Sequence, residues 1–156
     1  MKKPYSAEQA YSKIASACVA KELCSYDIAR KLKQWGVDNT QQLEVIERLK
    51  SEKFLDDARY VRAYVHDKVM FERWGRQKIR QSLAMKNLTG SVVNEALENI
   101  DQELYMDNLK NLLQQKRRSL TDDDEYQQAV KMMRYAAGRG YTFDEIKQCV
   151  DTDFDM

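Results

Sequence analysis

Three segments of this chain close with the same order of events: a helical stretch, then Gly or Asn, then an apolar residue, then Asp or Thr. They are Ser25–Asp38, Arg76–Thr89 and, more loosely, Ala129–Thr142. Gly and Asn tolerate the left-handed backbone just past a helix end. Asp and Thr are helix N-caps. Each segment therefore reads as helix stop, apolar anchor, helix start. Recurrence at about 50 residues predicts a tandem helical array rather than one closed globule. A three-helix unit of that size lacks a secure core alone, so neighbouring units are expected to pack on one another. The expected fold is all-α, an elongated tandem array of three three-helix repeats. Their boundaries are set at 1–53, 54–101 and 102–156, the last ending in an acidic tail expected to fray. TPR units of about 34 residues are too short, and HEAT or armadillo units of about 40–47 fit less well.

Each repeat can be filled in from its apolar spacing. In the first, Ser6 with Gln9 forms a capping box ahead of Ala10, Ile14, Ala17 and Cys18. Ile28, Leu32 and Trp35 face inward next, Gly36 ends that helix, and Asp38 caps a third carrying Leu43, Ile46 and Leu49. In the second, Asp56 or Asp57 caps a helix bearing Tyr60, Val61, Tyr64, Val65 and Val69. Gly75 breaks the chain before Ile79 and Leu83; Asn87 and Thr89 stand in for Gly36 and Asp38, ahead of Val93, Ala96, Leu97 and Ile100. In the third, Leu104, Leu109, Leu112 and Leu113 precede a charged connection and a helix bearing Val130, Met133 and Ala137. Gly140 and a Thr142–Glu145 capping box then lead into Ile146 and Val150.

Composition narrows the function. One Pro and five Gly in 156 residues argue against long loops and all-β folds. A formal net charge of +1 creates no global field for nucleic acid, so any basic surface is local. No apolar run approaches the ~20 residues that cross a bilayer. The opening residues lead into a polar helix without an apolar leader, so a cytoplasmic protein is expected. Cys18, Cys24 and Cys149 are odd in number and form no CxxC pair, which reads as reduced packing thiols.

No catalytic constellation emerges, and the chain is read as a non-enzyme without metal or cofactor. His66 is the sole histidine, which excludes a histidine-based metal cluster. There is no Gly-rich phosphate loop. Nothing in the spacing joins Cys18 or Cys24 to His66 as nucleophile and base. The Asp122–Glu125 run lacks the ligand alternation and glycine of a calcium loop and reads as an acidic helix start. Asp56 and Asp57 are adjacent on a helix, point apart, and read as caps rather than an acid pair.

One surface stands out. Lys68, Arg73, Arg76, Lys78, Arg80 and Lys86 fall within about twenty residues, interspersed with Phe71 and Trp74. Such a patch suits phosphates or an acidic protein face, since the Arg fork bonds either in pairs. A solvated basic face balanced by acids elsewhere is the other reading. Aromatics near helix junctions commonly staple modules together, which is the plain reading of Trp74, Phe71, Trp35 and Tyr26.

The segments Phe54–Tyr64 and Gly75–Leu88 together resemble the central signature of the RecX regulators. That signature is a Leu-Asp-Asp turn, an aromatic-bearing helix, a Gly-Arg start, then Ile, Leu and a Lys-Gly-Ile-type helix end. Upstream, Cys24–Val37 resembles the family's Ser-x-x-Glu-Leu-x-x-Lys-Leu-x-x-Lys-Gly stretch. The likeness runs from about Ala10 to about Val150, specific in the second repeat, good in the first and loose in the third. Asn87 departs from the family's glycine, and Asp27 and Ile28 from its Glu-Leu. The resemblance implies a monomeric, cytoplasmic, non-enzymatic protein of DNA repair and the SOS response. It implies binding to the RecA–DNA filament, usually inhibiting ATP hydrolysis, strand exchange and coprotease activity, with DNA touched weakly or through the filament. Leu55, Asp56, Asp57, Gly75, Ile79 and Leu83 are then structural. From charge and position, the expected contacts are Arg73, Arg76, Lys78 and Arg80, with Arg59, Arg62 and Lys86 in support. A direct DNA-binding module of helix-turn-helix type and a generic helical scaffold stay open beside this reading.

Overall fold

The computed structural model describes residues 4–154, with side chains described as far as Val150. Among the described residues there are nine α-helices and no strand. The helices are α1 (Ala7–Ala20), α2 (Ser25–Gln34), α3 (Asn39–Ser51), α4 (Asp57–Met70), α5 (Arg76–Ala84), α6 (Ser91–Glu98), α7 (Gln102–Arg118), α8 (Glu125–Gly138) and α9 (Phe143–Phe154). They gather into two compact units, Met1–Arg62 with Lys86–Leu88, and Ala63–Met85 with Thr89–Met156.

In the first unit α1 and α2 pack on α3. Ala10, Ile14, Ile28, Leu32, Val45 and Leu49 form its interior. In the second, α7, α8 and α9 pack mutually and α5 meets α6. Tyr105, Leu109, Leu113, Met132, Ala136 and Ile146 build the cluster among α7, α8 and α9.

The recurring punctuation takes the expected conformation. Gly36, Asn87 and Gly140 have φ of 75°, 60° and 101°. After Gly36 and Gly140 the next apolar residue closes the helix end: Val37 N–H donates to the Leu32 carbonyl at 3.1 Å, and Tyr141 N–H to that of Ala136 at 3.2 Å. These are Schellman closures, which satisfy carbonyls a helix end leaves open. Asp38 caps α3 through the Gln41 N–H at 2.9 Å. Ser6 and Gln9 form their capping box, as do Thr142 and Glu145.

The two adjacent aspartates divide their work. Asp56 caps its own helix by accepting from the Arg59 N–H at 3.0 Å. Asp57 reaches another helix start: Cys24, the residue preceding α2, supplies no side-chain cap. Asp57 Oδ1 accepts from the Ser25 N–H at 2.8 Å, and Oδ2 from the Ser25 hydroxyl at 2.7 Å. The carboxylate thus lies at the positive end of the α2 dipole. Asp57→Ala is expected to lower stability by about 1–2 kcal/mol, with Asp57→Asn losing less. Urea unfolding followed at Trp35 checks this; equal midpoints for all three proteins would show that the cap adds nothing.

Several core expectations shift by a residue. Leu43 is exposed and Val45 is buried in its place. In α8 the inward residues are Met132 and Ala136, whereas Val130 and Met133 are half-buried and Ala137 is exposed. Ala17, Cys18, Trp35, Ile46, Tyr64, Ile100 and Leu104 are also half-buried rather than central. Thr89 does not cap α6. Gly90, with φ 86° and ψ −152°, is inserted before the helix and takes the capping position. That backbone region is almost confined to glycine, so the extra residue moves the start past Thr89. Asp124 caps α8 through Gln127, and Asp123 pairs with Lys131 at 2.9 Å, so the acidic run is indeed a helix start. The expected fraying at the chain end falls partly on residues 155–156, outside the described residues.

Candidate basic-aromatic surface

The second unit turns on a close backbone contact. Gly75, which precedes α5, donates its N–H to the Arg139 carbonyl at 2.7 Å. Gln77 N–H donates to the Gly140 carbonyl at 3.1 Å. An added Cβ on Gly75 would lie 2.3 Å from the Gly140 carbonyl carbon. Only a residue without a side chain fits. The loop before α5 and the turn before α9 therefore meet backbone to backbone.

This contact gathers cations from both loops. Arg73, in left-handed conformation with φ 56°, precedes it. The Tyr141 hydroxyl donates to the Arg73 carbonyl at 2.9 Å and holds that turn. Burial pushes the Tyr141 phenol up, helped by Tyr105 and Glu145, whereas Arg73 and Arg139 pull the other way. Both guanidinium groups thus lie within electrostatic reach of one hydroxyl.

Two aromatic rings hold the remaining cations. Lys68 and Lys78 place their ammonium groups 4.5 Å and 4.4 Å from the Trp74 ring centroid. Lys116 and Arg139 lie 5.2 Å and 4.9 Å from that of Tyr135. Arg139 also donates to the Tyr135 hydroxyl at 2.9 Å. Cation–π contact orders a side chain without neutralising it. Among the described residues, none of Lys68, Arg73, Lys78, Lys116 and Arg139 pairs with a carboxylate. The charges of Lys68, Lys78, Lys116 and Arg139 are held in place and left open, and that of Arg73 is left open beside them.

The other expected contacts have different surroundings. Arg76 is enclosed: its Nε donates to the Leu97 carbonyl at 3.0 Å, its Nη2 to Gln102 at 2.9 Å, and its Nη1 lies 3.5 Å from Glu145. Its guanidinium also stacks 4.2 Å from the centroid of Tyr105, whose hydroxyl accepts from the Arg76 N–H at 3.0 Å. Arg76 is a strut of the second unit. Arg80 is exposed and donates to Asn94 at 2.5 Å.

Arg59, Arg62 and Lys86 belong to the first unit. Arg59 pairs with Glu22 and donates to the Lys53 carbonyl. Arg62 is exposed on α4. Lys86 donates to the Tyr60 hydroxyl at 3.0 Å and lies 3.1 Å from Asp27. Burial works against its charge, but the bonds it donates to Tyr60 and Asp27 outweigh that and raise its pKa.

Lys116 and Arg139 are legible in the sequence as basic residues of the third repeat, but not as one group on Tyr135. The available signal was the i, i+4 spacing of Tyr135 and Arg139, which brings side chains together on a helix. Nothing in the spacing brings Lys116, from α7, onto the same ring. No group of His, Cys, Asp and Glu among the described residues could hold a metal ion. Burial pushes the Cys24 thiol up to about 11, against a hydrogen bond from the Asp27 backbone that lowers it, so it stays protonated near neutral pH. Among the described residues no helix is long and apolar enough to cross a membrane.

Comparison with known proteins follows the helix order. The family model described as RecX, second three-helix domain, matches residues 56–97, and that described as RecX, third three-helix domain, matches 103–150. A Regulatory protein RecX from Clostridium botulinum (strain Eklund 17B / Type B) is 37% identical over 122 residues, 77% of this chain and 57% of that protein. One from Clostridium tetani is 29% identical over 123 residues, 78% of this chain and 56% of that protein. The chain therefore spans little more than half the length of these relatives. A crystal structure of regulatory protein RecX superposes with a TM-score of 0.86 at 21% identity, over 93% of this chain and 73% of that one. RecX from Lactobacillus salivarius superposes with a TM-score of 0.84 at 16% identity, over 94% of this chain and 95% of that one. At such identities the structural likeness bears on the fold.

Proposed function

The chain belongs to the RecX family of regulatory proteins, and from that premise we propose that it binds the RecA–DNA filament and restrains it. Restraint means slower ATP hydrolysis, strand exchange and coprotease action, in a cytoplasmic protein without catalytic activity of its own. The observation that carries this reading is the open, ordered charge around the Gly75–Gly140 contact. Cations already fixed on Trp74 and Tyr135 lose little further rotamer freedom when a phosphate or carboxylate arrives. The division into three repeats at 1–53, 54–101 and 102–156 is part of the proposal. Repeated modules can contact successive filament subunits, and linked contacts raise the overall affinity well above that of each alone. Subunits bridged in this way lose the relative motions that turnover and strand exchange need.

The test is RecA ATP hydrolysis on single-stranded DNA, with co-sedimentation of the added protein. The expected result is inhibition with filament binding. Unchanged hydrolysis at excess protein, with nothing in the pellet, would sink the proposal. Arg73→Glu combined with Lys78→Glu should weaken filament binding at least tenfold while leaving the unfolding midpoint nearly unchanged, since neither residue has an internal carboxylate partner. Undiminished binding would remove the site while leaving the function. Salt-sensitive DNA binding by the protein alone, with no response to RecA, would favour a direct DNA-binding module instead.

A further inference from the structure

The first unit holds a second cationic feature, a groove along α2 that the filament proposal does not use. One wall is the face of α2 carrying Asp27, Arg30, Lys31 and Gln34, with Lys86 behind Asp27; the other is the end of α1 with Lys21. Ala17, Ala20 and Leu23 contribute its apolar surface. Asp27 to Gln34 spans about 10 Å at 1.5 Å per residue, or two turns of helix.

The distribution of charge selects the kind of occupant. Lys86 and Asp27 already neutralise each other at 3.1 Å. The remaining cations are Lys21, Arg30 and Lys31, and none has a carboxylate partner among the described residues; Arg30 lies 5.9 Å from the Tyr26 ring. A nucleic-acid strand would find no aromatic residue among the lining to stack a base upon. A peptide with carboxylates on one side and small apolar side chains on the other meets complementary groups on both. Ala17 and Ala20, with their small side chains, leave room for a close approach.

We propose that this groove is a docking site for an acidic amphipathic peptide segment of a partner protein, about two helical turns long. Its carboxylates pair with Lys21, Arg30 and Lys31, and its apolar face lies on Ala17, Ala20 and Leu23. The site is separate in residues from the basic-aromatic surface of the second unit, and the two fail independently.

The probe is a fluorescein-labelled helical peptide with glutamates on one face and a Leu/Ala stripe on the other. A lysine-for-glutamate version and a labelled oligothymidine serve as comparisons. The full chain should bind the glutamate peptide and not the lysine one. Arg30→Glu combined with Lys31→Glu should weaken binding at least tenfold, as should Ala20→Trp, which fills the groove at an exposed position and keeps all the cations. Far-UV circular dichroism identifies any variant that fails to fold, and Ala20→Trp decides the matter if the charge reversal does. Peptide binding unchanged by Ala20→Trp would overturn the proposal. So would loss of oligothymidine binding with peptide binding intact, which would make the groove a nucleic-acid surface.

Discussion

Gly75→Ala should lower the stability of the second unit by about 3 kcal/mol or more, the upper part of the range for overpacking. The new Cβ would lie 2.3 Å from the Gly140 carbonyl carbon, 2.4 Å from its oxygen and 2.4 Å from the Tyr141 nitrogen. All three are backbone atoms, so no side chain can swing aside. Relief requires the two loops to separate, which breaks the 2.7 Å bond from Gly75 to Arg139 and the 3.1 Å bond from Gln77 to Gly140. Against a domain stability of about 5–15 kcal/mol this is a large fraction. The two tryptophans fall one in each unit, Trp35 in the first and Trp74 in the second. In a Trp35→Phe background the urea transition of Trp74 reports the second unit alone. Gly138→Ala is the control: nothing lies within 4 Å of its added Cβ, and it ends a helix. It should be neutral or stabilising by up to about 1 kcal/mol. A Gly75→Ala midpoint equal to that of Gly138→Ala would show that the loops do not meet as described.

What the sequence revealed and what it hid divide along a physical line. Gly36, Asn87 and Gly140 were readable because a left-handed residue past a helix is a local requirement. Ser6, Asp38 and Thr142 were readable because a cap lies three residues from the N–H it satisfies. Leu43 was misread because one apolar residue more or less at a helix face is decided by which neighbour covers it. There Val45 takes the interior and leaves Leu43 66% exposed. The α8 register failed for the same reason. In that helix Met132 and Ala136 take the interior, while Met133 packs at its edge and Ala137 is exposed. Asp57 was read as a cap, but the helix it caps begins 32 residues earlier, and no local rule links it to Ser25. The basic cluster was visible as charge, whereas its division into open and enclosed cations was not. That division depends on Glu145, Asp27 and Glu22, each distant in sequence from the cation it pairs with.

Arg76→Ala should lower stability by about 2–3 kcal/mol and should impair filament binding only as far as it unfolds the second unit. Its guanidinium makes bonds to Leu97 and Gln102, a charge contact to Glu145 and a stack on Tyr105. Side-chain exposures of 26% for Arg76 and 16% for Glu145 place the pair between surface and core, above the value of an exposed ion pair. The loss stays below that of a wholly buried charge because Glu145 keeps the Thr142 N–H at 2.8 Å and the Tyr105 hydroxyl at 3.3 Å. Arg76→Lys should recover less than half, because an ammonium cannot reach Leu97, Gln102 and Glu145 with one planar fork. A double-mutant cycle of Arg76→Ala with Glu145→Gln should give a coupling of about 1 kcal/mol or more, as expected for groups in one network. The contrast with Lys78 then separates strut from grip. Arg73→Glu with Lys78→Glu should lose binding and keep its midpoint, whereas Arg76→Ala should lose midpoint and, below its unfolding transition, keep binding. If Arg76→Ala instead abolished binding with an unchanged midpoint, Arg76 would belong to the contact surface and the enclosed network would have no structural role.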